Sequence, residues 1–280
     1  MNPIKSPLAN AVLRSFRENG KRPDSAVPMA GEGLRVATYN VHKCVGTDGR
    51  FDPDRTFEVI REIGADLIAL QEADTRFGER TGLLDLKRIE AETGLIAVPA
   101  EPSVRAHGWH GNVLLFRDGA VRDIHREKLP GLEPRGALLT DIELKSGIHL
   151  RVVAVHLGLF RASRRQQADH IIGLLGNRDV APTLIMGDMN EWRLGNGSAL
   201  RRFEDSFGAL PPPRASFPAR WPVLALDRII ANRDDLVADL AAHDSLLARV
   251  ASDHLPLTAL VDTGVLSGEG ETTGTARVSG

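Results

Sequence analysis

Acid, amide and imidazole side chains fall repeatedly at or just past runs of apolar residues in this chain. Asn40 closes LRVATY, Glu72 follows LIALQ, and His156 sits inside VVAVHL. Asp188 and Asn190 follow LIMG, Asp227 interrupts LALDRII, and Asp253-His254 precedes LPL. Burying such groups singly is costly unless they are hydrogen-bonded or hold a metal. Converging on one end of a sheet, they would satisfy one another through an ion. Carboxylates and amides without cysteine are hard oxygen ligands, which favour Mg²⁺ or Mn²⁺ over a structural zinc. A histidine paired with a carboxylate serves as a general acid/base or as a charge stabiliser. The combination points to metal-assisted attack of water on a phosphate ester.

Taken one at a time, each group has a plainer explanation. Glu72 is then a polar strand end, Asp188 and Asn190 ordinary turn chemistry, His156 a satisfied core histidine, and Asp253-His254 a helix cap or surface pair. Needing all of these at once, in one order, is a less economical account than one site.

The elements that must position these residues follow from periodicity and punctuation. Leu34 to Tyr39 reads as a buried strand ending at Asn40. A helix starts at Asp52-Pro53, carries Phe57, Ile60 and Ile63 on one face, and stops at Gly64. Leu67 to Leu70 is the next strand and Leu83 to Thr93 a helix. Short strands are expected at 95–98, 112–116, 137–144 and 149–157. A helix over 162–175 places Ala168, Ile171, Ile172 and Leu175 on one stripe. Strands follow at 183–186, 226–230 and 255–261. The proline-rich stretch 211–222 excludes regular helix and central strand and reads as a surface loop. Strands alternating with amphipathic helices indicate an α/β or mixed α/β sandwich.

Composition bounds the function. Among 280 residues, 42% are hydrophobic and 26% charged, and 35 basic against 37 acidic side chains leave a net charge of -2. That is a soluble globular balance, and it argues against a protein living by non-specific grip on nucleic acid, which shows as a basic excess. The one cysteine, Cys44, forms neither an intrachain disulfide nor a thiolate metal site, so a reducing, cytoplasmic setting is expected. No apolar run suits a transmembrane segment, and no secretory leader is evident. The composition of 1–33 and 263–280 marks a flexible lead and tail around a folded domain over 34–262.

Seven motifs then occur in a telling order: Tyr39-Asn40-Val41-His42, Leu70-Gln71-Glu72, Gly111-Asn112-Val113, Val155-His156-Leu157, Gly187-Asp188-Met189-Asn190, Leu226-Asp227-Arg228-Ile229 and Ser252-Asp253-His254-Leu255-Pro256. Together they resemble the endonuclease/exonuclease/phosphatase superfamily over nearly the whole folded region. The resemblance implies a DNase I-like, four-layer α/β sandwich: two central mixed β-sheets packed face to face, helices outside, and a cleft at their upper edge. It implies Glu72 as main Mg²⁺ (or Mn²⁺) ligand, with Asn40 and Asp253 near the metal. By the same resemblance Asp188 is the general base or positions water, and Asn190 holds the nucleophile or a phosphate oxygen. Asn112 and His156 contact the phosphate. His254, oriented by Asp227, stabilises the developing charge or takes the nucleophile's proton; members of the superfamily differ on which of the two is the base.

The leading expectation is a Mg²⁺-dependent phosphodiesterase acting on a phospholipid headgroup or small phosphodiester, with no obligate protein partner implied. A nucleic acid substrate, and hence a nuclease, is the alternative. A silent binding module on the same fold is disfavoured because the whole polar set is present. Around the site, His42, Lys43 and Cys44 are expected to line the cleft or remain loop residues, and 107–110 to contact substrate or pack. Arg161, Arg164 and Arg165 either reach a second phosphate or form a solvated helix face; with Arg201, Arg202 and Arg220 they could gather into a groove. Phe217 and Trp221 stack on substrate or pack their loop.

Overall fold

The computed structural model describes residues 33–264 apart from 77, 101–104 and 146. Its strands are β1 (Gly33–Asn40), β2 (Leu67–Gln71), β3 (Ile96–Ala97), β4 (Val113–Phe116), β5 (Gly119–Leu129), β6 (Arg135–Leu144), β7 (His149–His156), β8 (Thr183–Asp188), β9 (Asp227–Ala231), β10 (Val237–Ala242) and β11 (Leu257–Asp262). Its α-helices are α1 (Pro53–Ile63), α2 (Leu86–Thr93), α3 (Arg161–Gly176), α4 (Arg201–Phe207) and the short α5 (Ala248–Ala251). The strands form a six-stranded sheet, β10-β11-β1-β2-β4-β3, and a five-stranded sheet, β5-β6-β7-β8-β9. Both are mixed: β1 and β2 run parallel, as do β7 and β8, while their other partners are antiparallel.

Side-chain alternation along each strand builds the layers. Val36, Leu67 and Ala69 of the first sheet meet Val152, Ala154, Leu184 and Met186 of the second in one buried cluster. The opposite face of the first sheet, with Ala37, Tyr39, Ile68 and Leu70, packs on Phe57, Ile60 and Ile63 of α1 and Ile89 of α2. The opposite face of the second, with Val153, Val155 and Ile185, packs on Ala168 and Ile171 of α3 and Phe203 of α4. Three apolar interfaces make four layers, the expected DNase I-like sandwich. Strands covered on both faces explain why their sequences read as continuous apolar runs.

Helix α1 has the punctuation expected of it. Asp52 Oδ1 accepts from the Arg55 N–H at 3.0 Å, and Gly64 ends the helix at φ 59°. Helix α2 begins at Leu86, after Leu83, because Asp85 caps it by accepting from the Arg88 N–H. Four elements lie outside the expectation, among them the single-turn α5. Strand β5 pairs along its length with β6, yet as an edge strand it alternates polar residues without a buried face. Strand β10 is likewise a half-exposed edge, and α4 is only two turns long. The proline-rich stretch is irregular but not superficial throughout, since Ser216 and Ala219 are fully buried. Gly33 belongs to β1; otherwise the expected lead and most of the tail (265–280) lie outside the described residues. No helix among the described residues is long and apolar enough to cross a membrane.

Arg164 corrects both readings given for it. It is 1% exposed, neither a solvated face nor a phosphate contact. Its Nη2 lies 3.2 Å from Glu191 Oε2, and Nη1 donates to the carbonyls of Gly158 and Leu159. Glu191, fully buried, also accepts from the Ala199 and Arg193 N–H groups. The pair thus ties α3 to the loop after β8. Removing one partner of a buried ion pair strands the other charge, at about 3–5 kcal/mol. Glu191→Ala is expected to lose stability by that amount in urea denaturation. A loss below about 1 kcal/mol would show the guanidinium to be hydrated.

Candidate active site

Register brings the polar residues to one end of each sheet. In the five-stranded sheet His156 pairs with Asp188, and Asp188 with Asp227, forming a row across β7, β8 and β9. The close approach of β7 and β8 requires Gly187 at φ 152°, because a Cβ there would stand 1.8 Å from the Val155 carbonyl oxygen. In the other sheet Asn40 pairs with Gln71, which puts Glu72 just beyond the end of β2. A turn over His42–Cys44, with all three residues at positive φ, folds back on it, and the Lys43 N–H donates to the Glu72 carbonyl.

The two rows meet at Asp188. Its Oδ2 accepts from Asn40 Nδ2 at 3.0 Å and lies 3.4 Å from His156 Nε2 and 3.8 Å from His254 Nε2. Its Oδ1 accepts from the Asn190 N–H at 2.9 Å, and the Asn190 side chain donates to the Leu157 carbonyl. On the far side of His254, Nδ1 lies 2.8 Å from Asp227 Oδ2, which also accepts from Ser216 Oγ at 2.5 Å. Ser252 Oγ donates to the Asn40 carbonyl and accepts from the His254 N–H, fixing this loop to β1. Phe217 lies against the His254 ring, with centroids 4.9 Å apart.

Charge follows from this packing. Burial alone would drive the proton off His254, but the carboxylates of Asp227 and Asp188 outweigh it and push the imidazole up to about 10. Burial, helped by the Asp227 charge, raises Asp188 to about 6 against the opposing pull of His254. Burial, with the cation of Arg135, holds His156 well below the ordinary imidazole value. The cluster therefore joins one imidazolium, one neutral imidazole and two carboxylates in a nearly dry space.

Glu72 stands apart from that cluster. Lys43 Nζ is 2.6 Å from its Oε2, but no hydrogen-bond donor among the described residues is aligned on that buried oxygen. Burial raises its pKa, and Lys43, then His42 and Arg135, more than reverse this, so it lies below its ordinary value. Asp253 is partly exposed, with Oδ1 3.7 Å from His42 Nδ1.

The expected phosphate contact of Asn112 does not fit. Its amide nitrogen donates to the Trp109 and Gly136 carbonyls, which uses both hydrogens, and only a buried Oδ1 remains. Asn112 thus braces the start of β6. His107 and His110 bond to backbone carbonyls, consistent with loop packing. Cys44 is buried, and its thiol is pushed up to about 11, chiefly by burial. Sequence reasoning assigned no role to Ser216, which lies in an irregular segment without a periodic signal, nor to Ser252 within its motif. It also missed Asp74 and Arg80, joined through Nε at 2.7 Å.

A family model described as the Endonuclease/Exonuclease/phosphatase family matches residues 37–254. The chain belongs to the endonuclease/exonuclease/phosphatase family. Its members are metal-dependent hydrolases of phosphoester bonds, and this chain is such an enzyme. Solved structures share the fold at low identity. An endonuclease/exonuclease/phosphatase from Beutenbergia cavernae is 21% identical over 82% of this chain and 72% of its own, with a TM-score of 0.60. A mannosyl-6-phosphatase from Bacteroides thetaiotaomicron is 16% identical over 81% and 99%, at 0.62. The human Nocturnin catalytic domain, solved with bound sulfate, is 19% identical over 84% and 94%, at 0.59. No curated protein matches the chain.

Two groups of side chains can be weighed for the family's divalent ion. Asp188, Asp227 and His254 bring ligand-type atoms within 4.8 Å of one another. Within that trio, however, His254 Nδ1 and Asp227 Oδ2 already satisfy each other. Glu72 fits a hard cation better, with a buried carboxylate oxygen lacking an aligned donor and with oxygen-bearing Asn40 and Asp253 on adjoining segments. For the endonuclease/exonuclease/phosphatase site the dyad gives a direct test. Asp227→Asn is expected to keep the fold and lower turnover by roughly two orders of magnitude or more, as for carboxylate–histidine pairs elsewhere. Assays of bis-(p-nitrophenyl) phosphate with parallel thermal melts check this. Wild-type turnover in both Asp227→Asn and His254→Ala would remove the pair from the chemistry.

Proposed function

We propose that this chain is a divalent-metal-dependent phosphodiesterase that transfers a phosphoryl group from an ester oxygen to water. The observation that carries this reading is His254 held between Asp227 and Asp188, with His156 beside them. That arrangement offers a base and a cation within one buried cluster. Glu72, Asn40 and Asp253 would hold Mg²⁺ or Mn²⁺, which supplies Lewis-acid neutralisation of phosphoryl oxygens when bound.

Asp188 is the group to take the proton of the attacking water. Its carboxylate is fixed on both oxygens, and its raised proton affinity suits a base working near neutral pH. The water oxygen then forms the new bond to phosphorus as the ester P–O bond breaks. The departing oxygen leaves as an alkoxide and is protonated from solvent. His254, kept cationic and oriented by Asp227, faces the charge that grows on the phosphoryl group. Neutral His156 and the second amide hydrogen of Asn190 complete the donor set. Asn112 positions β6 and does not touch the phosphate.

The arginines weigh toward a small phosphodiester over nucleic acid. Arg164 is buried on Glu191, Arg202 pairs with Asp169, Arg201 with Glu204, and Arg220 bonds to Thr47. They are committed locally and form no run of phosphate contacts. We place the catalytic unit at 34–262 and the protein in the reducing cytoplasm, in keeping with its lone buried Cys44.

EDTA is expected to abolish hydrolysis of bis-(p-nitrophenyl) phosphate, and Mg²⁺ or Mn²⁺ to restore it. Full turnover in metal-free buffer would sink this reading. Affinity for a duplex oligonucleotide in Ca²⁺ is expected to depend weakly on salt. A tight complex with a slope corresponding to several phosphate contacts would establish a nuclease instead.

A further inference from the structure

Polar and apolar side chains change places at the start of α3. Its buried positions there are Ser163, Arg164 and Gln167, while Leu132, Leu159 and Phe160 around it are 82%, 63% and 56% exposed. A single exposed leucine is ordinary, but buried polar groups beneath several exposed apolar ones are not.

The buried polar groups are spent on the backbone of two loops. Gln167 accepts from the Gly158 N–H at 2.8 Å and donates to the Pro130 carbonyl at 2.9 Å. Ser163 Oγ accepts from the Leu132 N–H, and Arg164 donates to the Gly158 and Leu159 carbonyls. Glu133 Oε1 accepts from the Leu159 N–H at 2.8 Å. The turn between β5 and β6 and the loop after β7 are therefore stitched together from within, and their apolar side chains form one outward shoulder. Arg161 Nε reaches the Gly197 carbonyl at 2.8 Å and ties in the loop after β8, where Leu194 is also exposed. All three segments lie at the end of the five-stranded sheet that carries His156 and Asp188.

Charge around the shoulder is one-sided. Arg161 and Arg165, one turn apart on α3, meet no carboxylate among the described residues, whereas Glu133 and Glu191 are matched by Arg135 and Arg164. Exposed apolar side chains flanked by arginine suit the boundary of an anionic bilayer: the former enter the headgroup region and the latter meet its negative charge. A second copy of the same surface would instead set arginine against arginine.

We infer that this shoulder seats the protein on an anionic lipid bilayer, which presents the phosphodiester to the site as part of a lipid. The choice of a lipid ester rests on the phosphodiesterase reading; the seating does not.

Sedimentation of the full chain with phospholipid vesicles tests it, in EDTA to suppress hydrolysis and metal bridging. Vesicles of phosphatidylcholine with about one-third phosphatidylserine should bind about tenfold or more tightly than pure phosphatidylcholine, the increment of two arginines near an anionic surface. Leu159→Ser combined with Phe160→Ser should weaken that binding about tenfold, and Arg165→Gln about threefold. Serine suits the N-cap of α3 that Phe160 occupies, so the double variant is expected to fold; thermal melts check this, and Leu132→Ser is an independent second variant. Val180→Ser, at a fully exposed residue before β8 and so at the other end of the sheet, should leave binding unchanged. Absence of wild-type binding overturns the inference, as do equal binding to both vesicles and binding that survives in both the double variant and Leu132→Ser. Self-association lost in these variants, without vesicle binding, also overturns it and gives the shoulder to a second copy. Turnover of bis-(p-nitrophenyl) phosphate in Mg²⁺ without lipid should be unchanged in the same variants. Vesicle binding by a chain that hydrolyses no ester keeps the shoulder and removes the hydrolase reading, and turnover without vesicle binding removes the shoulder alone.

Discussion

The hydrogen bond from Asn40 Nδ2 to Asp188 Oδ2 is the constraint on which the site depends, since it joins the end of one sheet to the end of the other. The apolar cluster between the sheets holds them together, but burial of apolar surface is non-directional and leaves small displacements cheap. A buried hydrogen bond to a carboxylate, worth about 1.5–3 kcal/mol, is directional and penalises such a displacement. Asn40 is itself fixed, its Oδ1 accepting from the His42 N–H and its carbonyl from Ser252 Oγ. Through these bonds the turn that carries Lys43, the loop that carries His254 and the strand that carries Asp188 share one anchor.

Charge balance in the dry cluster depends on the same anchor. Two carboxylates within a few ångströms would repel and one would take up a proton, unless a cation lay between them. His254 is that cation, with one ring nitrogen toward each acid. His156, on the other side of Asp188, is kept neutral by burial and by the cations nearby.

Much of this was legible in the sequence, for identifiable reasons. Strands covered on both faces leave unbroken apolar runs, so β1, β2, β7 and β8 could be read directly, and the polar residues ending them stood out against that background. Helix α1 was legible from Asp52, Pro53 and Gly64, each acting locally. Edge strand β5 was not, because its pairing with β6 depends on a partner and leaves no apolar stripe of its own. The role of Asn112 was misread because its motif fixes position in the chain but not where the amide hydrogens point. Arg164 was misread because a helix N-terminus rich in arginine gives no sign that one of them meets Glu191 across the layer. Ser216 lies amid prolines, where neither periodicity nor propensity speaks.

That serine divides the proline-rich loop into two regimes. Its hydroxyl grips the carboxylate bonded to His254, and the backbone N–H groups of Ser216 and Phe217 both bond to the Leu224 carbonyl, so the base of the loop is tied to the buried polar cluster. A few residues on, Trp221 is 77% exposed. The exposed Trp221 can therefore be exchanged without loosening the dyad, provided Ser216, Phe217 against the His254 ring and the Ala219 N–H, which donates to the Asp253 carbonyl, stay. Such a loop is a natural place for divergence: an anchored stem that holds the Asp227–His254 pair and a crown whose exposed Trp221 can be exchanged.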